Sequence, residues 1–126
     1  MNNDIEEDYC SFEVSKLLKE KGFDLHCDSY YYDKRGTLRE YVGNYNSTDQ
    51  EELHPHSSRP THDLAIQWIR KNFRPDYALN LYPYTIRNSL LWEVRIFGHH
   101  FASSGYKVPK DAIDIALFYT LQNLIK

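Results

Sequence analysis

A strict alternation of apolar and charged residues in the second half of the chain constrains its fold more than any other feature of the sequence. Trp92, Val94 and Ile96 alternate with Glu93 and Arg95. Because successive side chains of a strand point to opposite faces of its sheet, this pattern predicts a strand with one buried face and one face in water. Strands of this kind are typical of antiparallel sheets that are covered on one side.

Three other segments place apolar residues at helical spacing. They are residues 12–21, the segment between Thr61 and Pro75, and the segment from Pro109 to the end of the chain. Ser11 and Thr61 are typical N-cap residues, and Gly22 is typical of the position that follows a helix. The sequence therefore predicts three helices.

Two hairpins are predicted between these helices. The first joins residues 27–32 to residues 37–42, and the second joins residues 77–82 to residues 90–97 through Thr85, Arg87 and Asn88. Pro83 either ends its strand or places it on the edge of a sheet, and residues 99–101 are a candidate for a short further strand. The prediction is an α+β fold, with an antiparallel sheet of about four strands, helices on one face and the element order α-β-β-α-β-β-α.

A chain of 126 residues is close to the commonest size of a single domain. We therefore expect one α+β domain over residues 1–126, with a polar tail at residues 1–8 and a long loop at residues 43–59. The loop is rich in Asn, Ser, Asp and Pro and lacks apolar periodicity. The residues expected to form the core are Trp68, Ile69, Trp92, Val94, Ile96, Ala116, Leu117 and Leu121.

Charge and composition indicate the compartment and the classes of partner. The net charge is −3 with histidine neutral, and the N-terminal segment is acidic and polar. This balance does not favour a general basic field for nucleic acid, and no run approaches the ~20 apolar residues of a membrane span. We expect a cytoplasmic protein without membrane contact, in which Cys10 and Cys27 are reduced thiols.

Three segments of the chain also follow a known pattern. They are residues 9–24, the run PTHDLAIQWIR at residues 60–70, and the last helix with Ala112, Ala116, Leu117, Leu121 and Leu124. In this order they resemble a family of small uncharacterised proteins of anaerobic gut bacteria, often associated with prophages or mobile elements. The resemblance implies a bacterial, intracellular, stand-alone domain, and it implies no activity and no functional residues.

The histidines are the candidate metal ligands. His54, His56 and His62 lie in the loop and at the start of the second helix, and three nitrogens with an open position are one way in which proteins hold catalytic zinc. Their spacing matches no zinc signature, however. The sequence therefore favours surface histidines and predicts no metal and no other cofactor.

Candidate catalytic groups are equally weak. His99 and His100 follow the predicted strand and are interpreted as turn residues rather than as a general base. Cys10 could pair with a histidine as a nucleophile, but its place beside a helix cap favours a small packed side chain. No nucleophile elbow or phosphate-binding loop occurs in the sequence, so no catalytic residue is predicted and binding is favoured over catalysis.

Nucleic-acid binding is the alternative function. The segment at residues 60–126 has the element order of a double-stranded RNA-binding domain. The local basic residues that would contact phosphate are Lys34, Arg35, Arg39, Arg70, Lys71 and Arg74. The last helix opposes this interpretation because it begins with one lysine, Lys110, followed by Asp111 and Asp114, where phosphate binding would need a basic cluster.

The tyrosine run supports a different function. Tyr30, Tyr31 and Tyr32 are consecutive in a predicted strand, so they cannot all face one core. Tyrosine is enriched at protein contacts, and a twofold dimer is the commonest way to bury such a surface. The preferred prediction is a non-catalytic accessory domain that contacts another protein or a second copy of itself in a bacterial mobile-element setting.

Overall fold

The computed structural model describes residues 8–32, 35–40, 42–43 and 57–125, and these residues form an α+β fold, as predicted. The helices are α1 (Phe12–Glu20), α2 (His62–Asn72) and α3 (Pro109–Tyr119), and α3 continues as a π-helical turn over Thr120–Leu124. The strands are β1 (Tyr30–Tyr31), β2 (Leu38–Arg39), β3 (Ser57–Ser58), β4 (Leu79–Ile86), β5 (Ser89–Ile96) and β6 (Ala102–Tyr106). Within the described ranges, no helix is long and apolar enough to cross a membrane.

The helix ends follow the local signals of the sequence. The Ser11 hydroxyl accepts a hydrogen bond from the Val14 amide at 3.2 Å, and the Thr61 hydroxyl accepts one from the Leu64 amide at 3.1 Å. Gly22 follows α1 with a φ of +98°, which glycine adopts without steric cost. Both N-caps and the C-terminal glycine are therefore confirmed.

The first sheet corrects the predicted strand count. The described residues form two three-stranded antiparallel sheets, β2-β1-β3 and β4-β5-β6, instead of one sheet of about four strands. The predicted first hairpin exists as the short pair β1–β2, and β3 adds to the other side of β1. Ser57 and Ser58 were expected in the loop because they lack an apolar pattern, but they are buried and their backbone groups need partners. Residues 44–56 of the predicted loop lie outside the described residues.

The β4–β5 hairpin is longer than predicted and runs straight through Pro83. The Phe97 amide donates to the Ala78 carbonyl at 2.9 Å. The backbone N–H and C=O groups of even-numbered residues of β4 therefore bond to β5, whereas those of odd-numbered residues point away from β5. Pro83 is one of the outward positions of this edge strand, and its missing N–H costs the ladder nothing. The sequence alternative that placed Pro83 on an edge is therefore the correct one.

The turn and the next strand complete this sheet. Arg87 and Asn88 have positive φ values of 51° and 67°, as a two-residue hairpin turn requires. The third strand is β6 at Ala102–Tyr106, so the prediction of a strand at residues 99–101 is wrong. The chain turns at Gly98, with a φ of +78°, before it pairs with β5.

The core lies between the second sheet and the helices. Helix α3 contacts β4, β5 and β6, and it also contacts α1 and α2. The predicted core residues that are buried are Trp68, Ile69, Val94, Ile96, Ala116, Leu117 and Leu121. Trp92 is only half-buried, because β6 pairs with β5 no further than Trp92–Tyr106 and the outer half of the hairpin extends beyond it.

Replacing Leu117 tests this packing. Leu117 is fully buried on α3, whereas Ile115 on the same helix is 39% exposed. We expect Leu117→Ala to lower the free energy of unfolding by ~2–5 kcal/mol through cavity formation, and Ile115→Ala to change it by about 0.5 kcal/mol or less. Urea denaturation followed by tryptophan fluorescence measures both values. Equal losses in the two variants would contradict this arrangement of α3.

Candidate functional site

The N-terminal ends of all three helices meet at one cavity of about 630 Å³. We call it the junction cavity. It is lined by Asp8, Tyr9, Cys10, Ser11, Tyr31, Leu38, Glu40, Arg59, His62, Lys110, Asp111 and Asp114. These residues come from the start of α1, the start of α2, the start of α3 and the first sheet, so tertiary packing alone assembles the cavity.

Asp114, at the floor of the cavity, connects the starts of α1 and α2 through hydrogen bonds. Its Oδ1 accepts a hydrogen bond from the Ser11 amide at 2.9 Å and one from His62 Nε2 at 3.2 Å. Ser11 caps α1 and His62 is the first residue of α2. A carboxylate at two helix N-termini is favourable because each terminus has a partial positive charge and unpaired N–H groups.

The contact with Asp114 also assigns the donor role of one His62 nitrogen. Nε2 faces a carboxylate oxygen, which can only accept a hydrogen bond. His62 Nε2 therefore donates to Asp114. Nδ1 is buried and has no hydrogen-bond partner among the described residues.

Cys10 is a packed side chain, as the sequence favoured. It is 1% exposed, and its Sγ donates to the Thr61 carbonyl at 3.9 Å. Burial raises the pKa of the Cys10 thiol well above its ordinary value, and the nearby Asp114 carboxylate adds to the rise. The thiol therefore stays protonated and is not a nucleophile poised against His62.

The aromatic wall of the cavity is fixed by its own contacts. The Tyr31 hydroxyl donates to the Cys10 carbonyl at 2.8 Å, and its ring lies 5.3 Å from that of Phe12. Burial raises the pKa of Tyr31. The Arg59 guanidinium lies over the Tyr9 ring at 3.9 Å, which is a close cation–π contact.

The rim is more acidic than the floor. Asp8, Glu40, Lys110 and Asp111 are exposed around the opening. Among the residues that the structure describes, no ion pair joins the three rim carboxylates to a lysine or an arginine. The rim therefore offers carboxylate oxygens that no described residue neutralises through an ion pair.

The predicted tyrosine surface is divided between different roles. Tyr30, Tyr31 and Tyr32 are all half-buried. Only Tyr31 lines the junction cavity, whereas the Arg39 guanidinium lies 4.8 Å from the Tyr32 ring. The run does not form one continuous aromatic face.

Of the predicted basic residues that the structure describes, none lines the cavity. Arg70 Nε donates to the Tyr77 carbonyl at 2.6 Å, and Arg74 donates to His99 Nε2 at 2.5 Å. Lys71, Arg35 and Arg39 are exposed, and Lys34 lies outside the described residues. The two arginines at the end of α2 therefore have structural partners within the protein.

The candidate zinc ligands are not brought together in the described part of the chain. His62 is bound to Asp114, while His54 and His56 lie outside the described residues. Among the residues with a described position, no group of three or more His, Cys, Asp or Glu side chains could hold a metal ion.

The chain matches no protein-family model, no curated protein and no solved structure. The resemblance to a family of gut-bacterial proteins therefore stays a prediction. Evidence on function therefore comes from the cavity itself.

Two cavity residues, Arg59 and Asp114, were not predicted as site residues from the sequence. For Asp114, a position next to the apolar stripe of α3 was the one sequence feature that could have indicated contact with other elements.

Replacing Asp114 tests whether it holds the junction. We expect Asp114→Ala to lower the free energy of unfolding by about 1.5–3 kcal/mol, because hydrogen bonds to a charged group are lost. The matched control is Asp111→Ala in the same helix, whose exposed carboxylate contributes about 0.3–1 kcal/mol through the helix dipole. Chemical denaturation measures both variants. The assigned role of Asp114 is wrong if the two losses are the same.

Proposed function

We propose that this chain is a non-catalytic binding domain that holds a segment of another protein molecule in the junction cavity. The observation that supports the proposal is the cavity itself, which is about 630 Å³ in volume and has aromatic, apolar and charged lining groups. Its volume lies in the range of protein ligand sites, and a few polar groups among apolar ones are typical of such sites.

The chemistry of the lining groups favours binding over catalysis. The Cys10 thiol is buried and protonated, and Nε2 of His62 is already hydrogen-bonded to Asp114. Nδ1 of His62 is buried, so neither nitrogen is free to take a proton from a substrate. With neither a free thiolate nor a free imidazole, the cavity can recognise a ligand but has no group assigned to transform it.

The first sheet favours a polypeptide as the ligand. β2 is the last strand in the order β2-β1-β3, and no other described strand pairs with its outer edge. Leu38 of β2 and Glu40, which directly follows it, both line the junction cavity. An extended segment that adds to this edge would make backbone hydrogen bonds and place side chains at the cavity opening.

Nucleic-acid binding is less well supported. The order α2-β4-β5-β6-α3 is that of a double-stranded RNA-binding domain. The N-terminal end of α3 places Asp111 and Asp114 at the cavity, and carboxylates repel phosphate. Arg70 and Arg74 donate their hydrogen bonds to Tyr77 and His99. These contacts favour a protein partner, which includes a second copy of the chain.

A random peptide library displayed on phage tests the proposal. We expect selection on the wild-type chain to enrich peptides whose binding is lost when Leu38→Trp fills the cavity opening. Leu90→Trp is the matched control, because Leu90 is also an exposed strand leucine, at 55%, and does not line the cavity. Affinity measured by biolayer interferometry for synthetic versions of the selected peptides gives the comparison.

Two outcomes would contradict the proposed function. In one, the selected peptides bind Leu38→Trp as well as they bind wild type, which would place recognition elsewhere on the surface. In the other, no peptide is enriched, although circular dichroism shows that the immobilised chain is folded.

A further inference from the structure

The charges that line the junction cavity identify the kind of side chain that it would hold. Four carboxylates, those of Asp8, Glu40, Asp111 and Asp114, face two cations, Arg59 and Lys110, which leaves an excess of two negative charges. We propose that the junction cavity binds a lysine or arginine side chain of the partner segment, an inference that rests on the proposed function.

The carboxylates differ in whether they are available. Asp114 already accepts hydrogen bonds from Ser11 and His62. The rim carboxylates of Asp8, Glu40 and Asp111 have no ion-pair partner among the described residues. A ligand in the cavity therefore meets three carboxylates that no described residue neutralises.

The wall of the cavity already accommodates a cation of the protein itself. The Arg59 guanidinium packs over the Tyr9 ring at 3.9 Å, and its Nε donates to the Ser29 hydroxyl at 2.8 Å. On the other side, Leu38 and Tyr31 supply apolar and aromatic surface. The methylene stem of a lysine or arginine can pack on such surface while its charged end reaches the carboxylates.

An NMR titration with cadaverine tests this inference, because cadaverine has a lysine-like stem with an ammonium group at each end. We expect cadaverine to shift the amide resonances of Ser11, Tyr31 and Asp111 in a saturable way, and added salt to weaken the effect. Glutarate is the matched probe with carboxylates in place of the ammonium groups, and it should leave these resonances unchanged.

A pair of variants tests whether the rim carboxylate of Asp111 contributes to cadaverine binding. Asp111→Asn removes a rim carboxylate in the first turn of α3, and Asp63→Asn makes the same change in the first turn of α2, where Asp63 is exposed and outside the cavity. For an exposed ion pair, we expect Asp111→Asn to raise the dissociation constant of cadaverine roughly two- to five-fold. Asp63→Asn should leave it unchanged.

The outcomes separate this inference from the proposed function. Glutarate shifting the same resonances, or equal affinities in the two variants, would overturn the cation site. Cavity-dependent peptides without enrichment of lysine or arginine would also overturn it and leave the proposed function standing. Cadaverine binding that depends on Asp111, in a chain that selects no peptide, would support the cation site and reject the protein partner.

Discussion

The carboxylate of Asp114 joins three parts of the chain that are far apart in sequence. It accepts hydrogen bonds from Ser11 and His62, which are 103 and 52 residues away. Each partner marks the N-terminal end of a helix, and Asp114 itself lies near the start of α3. Because one anion compensates the positive ends of two other helices, the three helix starts can converge, and the space that remains between them is the junction cavity.

The same contact determines the chemical character of the cavity. It makes Nε2 of His62 a hydrogen-bond donor to the carboxylate. It also places a negative charge near Cys10, which together with burial keeps that thiol protonated. Cys10 and His62, which could form a nucleophile–base pair by their residue types alone, therefore have structural contacts in this arrangement. In the described part of the chain, the groups that remain available to a ligand are the acidic rim, the aromatic wall and the edge of β2 that no described strand covers.

The second sheet shows how local rules combine with their surroundings. Alternation predicted β5, and a short connection through Thr85, Arg87 and Asn88 predicted the hairpin, because both signals depend on neighbours in the chain. Pro83 was ambiguous, since its effect depends on whether its missing N–H faces a neighbouring strand or the open edge. Trp92 follows the buried alternation but is half-buried, because β6 ends before it covers the outer half of the hairpin.

The sequence by itself determined the three helices, their caps and the main hairpin, because these depend on spacing and on hydrogen bonds within a few residues. Only the tertiary structure decided that β3 pairs with β1, since Ser57 and Ser58 have no apolar pattern that would predict a buried strand. It also decided that Asp114 faces two helix ends rather than water. The physical reason is that burial and hydrogen-bond partners of a polar group depend on which distant segments pack around it, and no local pattern encodes that choice.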